Sequence, residues 1–321
     1  MFDLDTFKQA EKRIRATVGK SPLVKSAWLS KELDAEVYLK LECMQPGRSF
    51  KIRGATNALL SADTMPKKVI TASGGNHGLG VAIASKRAGI PSLIVLPTST
   101  PSHRVDLLRD LGADVLLYGV AYDEANEHAK ILAKESDTLY IHAFADDEVI
   151  VGQGTISLEL VNELGSFDIL VASIGGGGLL SGITLGLKAQ GLVNSIEIIA
   201  VETEGANCFA ASLAEDRVVE LKAITSIAKT LGAKATSQFN FETLKELVNE
   251  SVVVTDKEAV EALNLFLDHE KILVEPATSC IFAAALKDKE KFRGKKVVFI
   301  VCGSNVTLDE FRLWNQEFLN E

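Results

Sequence analysis

Four short stretches of the 321-residue chain combine groups that chemistry uses. The first is Ser49-Phe50-Lys51-Ile52-Arg53-Gly54, just after the turn signal Gln45-Pro46-Gly47. Ser49 is suited to cap a following helix. Lys51 then falls in the first helical turn, where the helix dipole disfavours a positive charge. That is a poor place for a surface lysine and a good one for a lysine that must be a free amine. The second is Ser73-Gly74-Gly75-Asn76-His77-Gly78, between a β-branched run and a helical one. Its glycines allow close backbone approach, and the helix N-terminus favours a carboxylate or phosphate. A tight turn with a capping Ser or Asn is the plainer reading of the same residues. The third is Gly175-Gly176-Gly177-Gly178. A turn needs one or two glycines, so four point to a backbone cup for a phosphate. The Walker pattern fails because Ile183 and Thr184 follow Gly182. The dinucleotide pattern G-x-G-x-x-G fails at Leu180 and again at Ile83. The fourth is Cys302-Gly303-Ser304-Asn305, at the end of a last apolar run. Alone, Cys302 reads as a small buried hydrophobe.

The elements that must position these groups alternate. Strands are expected over Val37–Glu42, Val69–Ala72, Ser92–Leu96, Asp114–Tyr118, Thr138–Ala143, Asp168–Ser173, Ile196–Glu202, Ser251–Thr255 and Val297–Val301. Helices are expected over Gly54–Ser61, Gly78–Ala88, Ser102–Leu111, Tyr122–Lys134, Gly152–Leu164 and Lys257–His269, with another beginning near Leu179. Continuous apolar strands are buried on both faces, as in parallel sheets. The fold class is α/β, with open, doubly wound, mostly parallel sheets. All three loops and Cys302 then lie at carboxyl edges of strands, where such sheets bind ligands.

Composition narrows the partners. The hydrophobic share is 47 %, the charged share 24 % and the mean hydropathy +0.16, ordinary for a globular chain of about two domains. Lys plus Arg is 34 against 43 Asp plus Glu, a net charge of −9 that disfavours nucleic acid as a partner. Cys43, Cys208, Cys280 and Cys302 form no C-x-x-C pair and no zinc spacing. They read as reduced thiols of a cytoplasmic protein. The N-terminus has helical spacing but no apolar core of a signal peptide, and no apolar run is long enough to span a membrane.

A candidate amine nucleophile, a phosphate cup and an anion-binding loop together are what pyridoxal phosphate requires. From about Ser21-Pro22-Leu23 to Asn305 the chain resembles the fold-type II pyridoxal-phosphate enzymes, and within them the serine/threonine dehydratase and serine racemase group. The resemblance implies a tryptophan synthase β-like pair of sheets and pyridoxal 5′-phosphate as cofactor. It implies Lys51 as the catalytic Schiff-base lysine, with Phe50 beside the cofactor. It implies Gly175, Gly176, Gly177 and Gly178 as the phosphate cup and Cys302 facing the pyridine nitrogen. Ser73, Gly74, Gly75, Asn76 and His77 would hold the substrate carboxylate, with Asn76 also near the cofactor's 3′-oxygen. A small domain, 51–146, would be inserted into a large domain of 1–50 and 147–321, and the protein would be a homodimer acting on a small amino acid.

The reaction implied is α,β-elimination from L-threonine, L-serine or a related β-hydroxy amino acid. Lys51 would remove the α-proton, the β-hydroxyl would leave, and the released aminoacrylate would hydrolyse to a 2-oxo acid and ammonia. A neutral thiol at Cys302 suits this better than an acid would. Racemisation or β-replacement on the same fold is the alternative, and a non-catalytic binding protein a more distant one. Gly74, where racemases carry a Ser, and His142-Ala143-Phe144 both lean toward the dehydratases. The resemblance also implies a cation site at Glu202 and the Ala206 carbonyl. Cys208 stands where an oxygen ligand is usual, and hard cations prefer oxygen. About 16 residues follow Asn305, too few for a regulatory domain responding to isoleucine.

Overall fold

Strands that read as unbroken apolar runs fold as walls between two cores. In the computed structural model, which describes residues 2–135 and 137–320, ten strands form. They are β1 (Leu23–Lys25), β2 (Glu36–Lys40), β3 (Lys68–Ala72), β4 (Ser92–Leu96), β5 (Asp114–Leu117), β6 (Thr138–Tyr140), β7 (Ile169–Ser173), β8 (Glu197–Thr203), β9 (Glu250–Val254) and β10 (Lys296–Ile300). Ile169 and Val171 of β7, with Val297 and Phe299 of β10, enter one core. The alternating Leu170, Ala172, Val298 and Ile300 enter the opposite one. Burial on both faces is the physical reason these runs carry no polar alternation.

The strands make two sheets. One has six strands in the order β1-β2-β10-β7-β8-β9, the other four in the order β5-β4-β3-β6. Every pairing is parallel except β1 with β2. The nine expected strands correspond to β2–β10, with β4 matching at both ends and the others shifted at one or both, and the antiparallel β1 was not expected. Helices α1 (Leu4–Ile14), α2 (Ala27–Glu32) and α3 (Lys51–Leu60) come first. Helices α4 (Asn76–Ala88), α5 (Ser102–Asp110) and α6 (Tyr122–Leu132) alternate with the small-sheet strands. Helices α7 (Asp147–Leu164), α8 (Gly178–Ala189), α9 (Cys208–Glu215), α10 (Gln238–Leu247), α11 (Asp256–Glu270), α12 (Pro276–Lys287) and α13 (Leu308–Phe318) belong to the remainder.

One detail corrects the expectations. Ser49 does not cap α3. The cap position is Phe50, with no side-chain cap bond, while Ser49 is buried and bridges Gly303. Pairing with the chain beyond β10 outweighs the local capping preference. Gly182 and Gly186, in the same glycine-rich stretch as the tetraglycine, face α7. A Cβ on Gly182 would be 2.8 Å from the Gly154 nitrogen, and one on Gly186 3.0 Å from the Gly154 carbonyl. They serve helix packing, not a ligand.

The start of α3 is fixed from behind. Arg53 is fully buried, and its guanidinium donates to both oxygens of Glu42 at 2.7 and 2.8 Å and both of Glu159 at 2.9 and 2.8 Å. Lys40 Nζ, equally buried, lies 2.8 Å from Glu159 Oε2. These pairs tie α3 to the end of β2 and to α7. Removing one partner of a buried pair strands the others' charge at a cost of about 3–5 kcal/mol. Arg53→Ala is therefore expected to lower the unfolding free energy by about that amount in urea titration, and a loss under about 1 kcal/mol would contradict this role.

Candidate active site

Lys51, the first residue of α3, extends into a cavity of about 690 Å³ between the carboxyl ends of the two sheets. Its Nζ donates to the Ala143 carbonyl at 2.7 Å and lies 5.0 Å from the centre of the Phe50 ring. Both partners are uncharged. Burial lowers the pKa of the amine from the ordinary 10.5 to about 8, with Cys302 opposing slightly. At neutral pH an appreciable fraction is the free amine, the form that attacks carbonyls and accepts protons.

The Ser73–His77 loop runs from β3 into α4 along another wall of the cavity. Asn76 is held on both sides. Its Nδ2 donates to Glu275 Oε1 at 2.9 Å, and its Oδ1 accepts from Asn305 Nδ2 at 2.6 Å. His77 Nε2 lies 3.0 Å from the Ile141 carbonyl. Burial lowers the pKa of His77 to about 3, so the ring is neutral and Nε2 is the donor. His77 thus anchors α4 to the end of β6. A Cβ on Gly74 would sit 3.3 and 3.5 Å from methyl groups of Thr100 and Leu96 and 4.0 Å from Thr100 Oγ1.

Gly175–Gly178 follow β7 and open α8, with Gly177 as its cap. Gly177 has φ +92°, and a Cβ there would sit 2.8 Å from Asn240 Cβ. A Cβ on Gly176 would enter the Phe144 ring. No other residue type fits either position without displacing its neighbour. Asn240 Nδ2 holds the cup by donating to the Gly176 and Phe144 carbonyls at 2.8 and 3.0 Å. The first N–H groups of α8 have no acceptor within the helix and are free for an anion.

Cys302, just past β10, lines the cavity 3.0 Å from Thr278 Oγ1 and 3.5 Å from Ser173 Oγ. Burial raises its pKa to about 11, so it is a neutral thiol. The cavity therefore gathers Phe50, Lys51, Ser73, Gly74, Gly75, Asn76, His77, the four glycines and Cys302. The donor set fits pyridoxal phosphate: an unprotonated amine, a cup of N–H groups for a phosphate, and an uncharged group for a ring nitrogen.

Glu202 and Ala206 lie outside this cavity. The Glu202 carboxyl accepts from Phe209 N at 2.9 Å and Ala210 N at 2.8 Å, and burial raises its pKa to about 8. The Cys208 thiol donates to the Gly175 carbonyl at 3.6 Å. Among the described residues no group of three His, Cys, Asp or Glu gathers. A carboxyl whose two oxygens already accept from the start of α9, with the sulfur of Cys208 where an oxygen ligand is usual, does not fit a hard cation.

Two parts of the site gave no sequence signal of the positioning role they play. Glu275, buried at the start of α12, accepts from Asn76, from Thr230 Oγ1 at 2.5 Å and from Asn305 N at 2.8 Å. Burial keeps its pKa raised. The second is the turn after β6. His142 Nδ1 accepts from Phe144 N and Ala145 N at 3.2 and 2.9 Å. Burial lowers its pKa to about 4, so the neutral ring holds the turn that presents the Ala143 carbonyl to Lys51 and Phe144 to the glycine cup.

Comparison with known proteins agrees with this donor set. Residues 14–303 match the family described as "Pyridoxal-phosphate dependent enzyme". The chain is 35 % identical over 311 residues to an L-threonine ammonia-lyase of Thermotoga maritima, covering 96 % of this chain and 77 % of that one. It is 34 % identical over 313 residues to a serine racemase of Oryza sativa, covering 95 % and 91 %. Maize serine racemase superposes with a TM-score of 0.90 at 32 % identity, covering 99 % of this chain and 97 % of that one.

The lowered pKa has a direct readout. In the protein freed of cofactor, reductive methylation with ¹³C-formaldehyde should give one lysine signal titrating near pH 8, absent from Lys51→Ala. Titration of Lys51 near 10.5, with the exposed lysines, would contradict the enclosure argument.

Proposed function

We propose a specific activity for this chain, which belongs to the pyridoxal-phosphate dependent enzyme family: an ammonia-lyase that converts L-threonine, L-serine or a related β-hydroxy amino acid to a 2-oxo acid and ammonia. The observation that carries it is the Lys51 amine, enclosed among uncharged groups and sharing one cavity with the glycine cup and the Ser73–His77 loop. Pyridoxal phosphate, when bound, supplies an aldehyde that condenses with amines and a ring that withdraws electrons from the bond to be broken. Gly175–Gly178 and the start of α8 would hold its phosphate, and Cys302 would face its ring as a neutral partner. The Ser73–His77 loop orients the substrate by its carboxylate. Lys51 Nζ, with a pKa near the working pH, takes the proton from the α-carbon. Loss of the β-hydroxyl and hydrolysis of the released enamine complete the reaction.

Gly74 separates this reading from racemisation, which needs a second proton-handling group on the opposite face of the substrate. A Cβ there would meet side-chain atoms of Thr100 and Leu96 and no backbone among its nearest neighbours, so a small side chain requires only that Thr100 give slightly. The same proposal reads 51–146 as a small domain beside a large one of 1–50 and 147–321, and the protein as a cytoplasmic homodimer.

With L-serine, wild type is expected to form pyruvate faster than D-serine, and Lys51→Ala to form neither. Gly74→Ser is expected to raise D-serine formation relative to pyruvate. Racemisation outrunning elimination in wild type would contradict the assignment. Light scattering should give a mass near twice 34.5 kDa, and a monomer would contradict the homodimer.

A further inference from the structure

One ion pair in the cavity wall has no part in the reaction described above. Arg104 on α5 and Glu310 on α13 both line the cavity, with Nη2 to Oε1 at 3.1 Å. Arg104 has five N–H donors, and this contact is its one side-chain hydrogen bond among the described residues. Its Nη1 lies 3.9 Å from the point where a Cβ on Gly75 would sit, so the guanidinium overhangs the Ser73–His77 loop. Its positive charge reaches as far as Glu275, the carboxyl behind Asn76.

Glu310 is not free to follow Arg104. Its Oε2 accepts from Thr307 N at 2.9 Å and Thr307 Oγ1 at 3.1 Å in the capping box of α13. Burial alone would raise its pKa, but the Thr307 N–H and Arg104 together hold it below the ordinary value. A fixed anion therefore neutralises a half-buried guanidinium whose remaining donors are unused. A guanidinium partly withdrawn from water is better placed with a counter-ion beside it, and Glu310 fills that part while the loop is empty.

We infer that Arg104 binds the substrate carboxylate over the Ser73–His77 loop, and that Glu310 is a resident counter-ion with which that carboxylate competes. This rests on reading the loop as the carboxylate site. Arg104 supplies the charge that the backbone groups of the loop lack, so the site selects amino acids over simple amines. Glu310 sets the strength of that attraction, because its own charge opposes the arriving anion.

The test uses the holoenzyme and L-alanine, an amino acid with no β-leaving group, titrated by calorimetry beside kcat and KM for L-serine. Arg104→Gln should weaken L-alanine about tenfold, the value of one charge-assisted hydrogen bond, and raise KM alike with kcat within about twofold. Arg104→Lys, which keeps the charge, should recover part of the loss. Glu310→Gln preserves the capping box and should tighten L-alanine a few-fold. Unchanged affinity in Arg104→Gln would overturn the proposal. So would weakening by both Gln variants, which would make the pair a structural bridge. A wild type that binds L-alanine with this pattern yet releases no 2-oxo acid would contradict the ammonia-lyase reading and support this one.

Discussion

A buried guanidinium holds the site in place. Arg53 lies two residues beyond Lys51, and burying its charge is tolerable only because Glu42 and Glu159 surround it. The same carboxylates come from the turn just past β2 and from α7, and Lys40, the last residue of β2, completes the cluster. Satisfying that charge therefore dictates where α3 begins and how it sits on its neighbours. The direction in which Lys51 leaves the helix follows from it.

On the other side of Lys51 the protein does the opposite and removes charge. The amine meets a backbone carbonyl, an aromatic ring and, nearby, a neutral thiol. Both histidines close to it, His77 and His142, are neutral because burial lowers their pKa values. Glu275, a buried carboxyl that shapes the site, is turned to Asn76, Thr230 and Asn305. A carboxylate beside Lys51 would hold its proton on, whereas burial among neutral dipoles lets it leave. The ionic cluster fixes position, and the neutral pocket sets reactivity.

How much of this could be read from sequence depended on range. Strands buried on both faces announced themselves by unbroken apolar runs, as in Val297–Val301. The tetraglycine was equally legible, because four adjacent glycines are costly unless close approach requires them. The three-residue β1 was too short to carry a pattern. Helix α12 is buried nearly all round, so it shows no polar face to mark it. Ser49 was misread because a bridge to Gly303, far along the chain, decided its role. Glu275 and Arg104 gave no signal at all. Asn76 lies 199 residues from Glu275 and Glu310 lies 206 from Arg104, and only the fold brings them together. Local chemistry was therefore legible, while the groups that orient it across the two sheets were not.

The central claim is that the enclosed amine of Lys51 is the group that bonds to the cofactor. Its most direct test is to load the protein with pyridoxal phosphate, reduce with borohydride, digest, and map the modified peptide by mass spectrometry. A single stable adduct on Lys51 is predicted. An adduct on another lysine, or binding without any reducible bond to Lys51, would contradict the account.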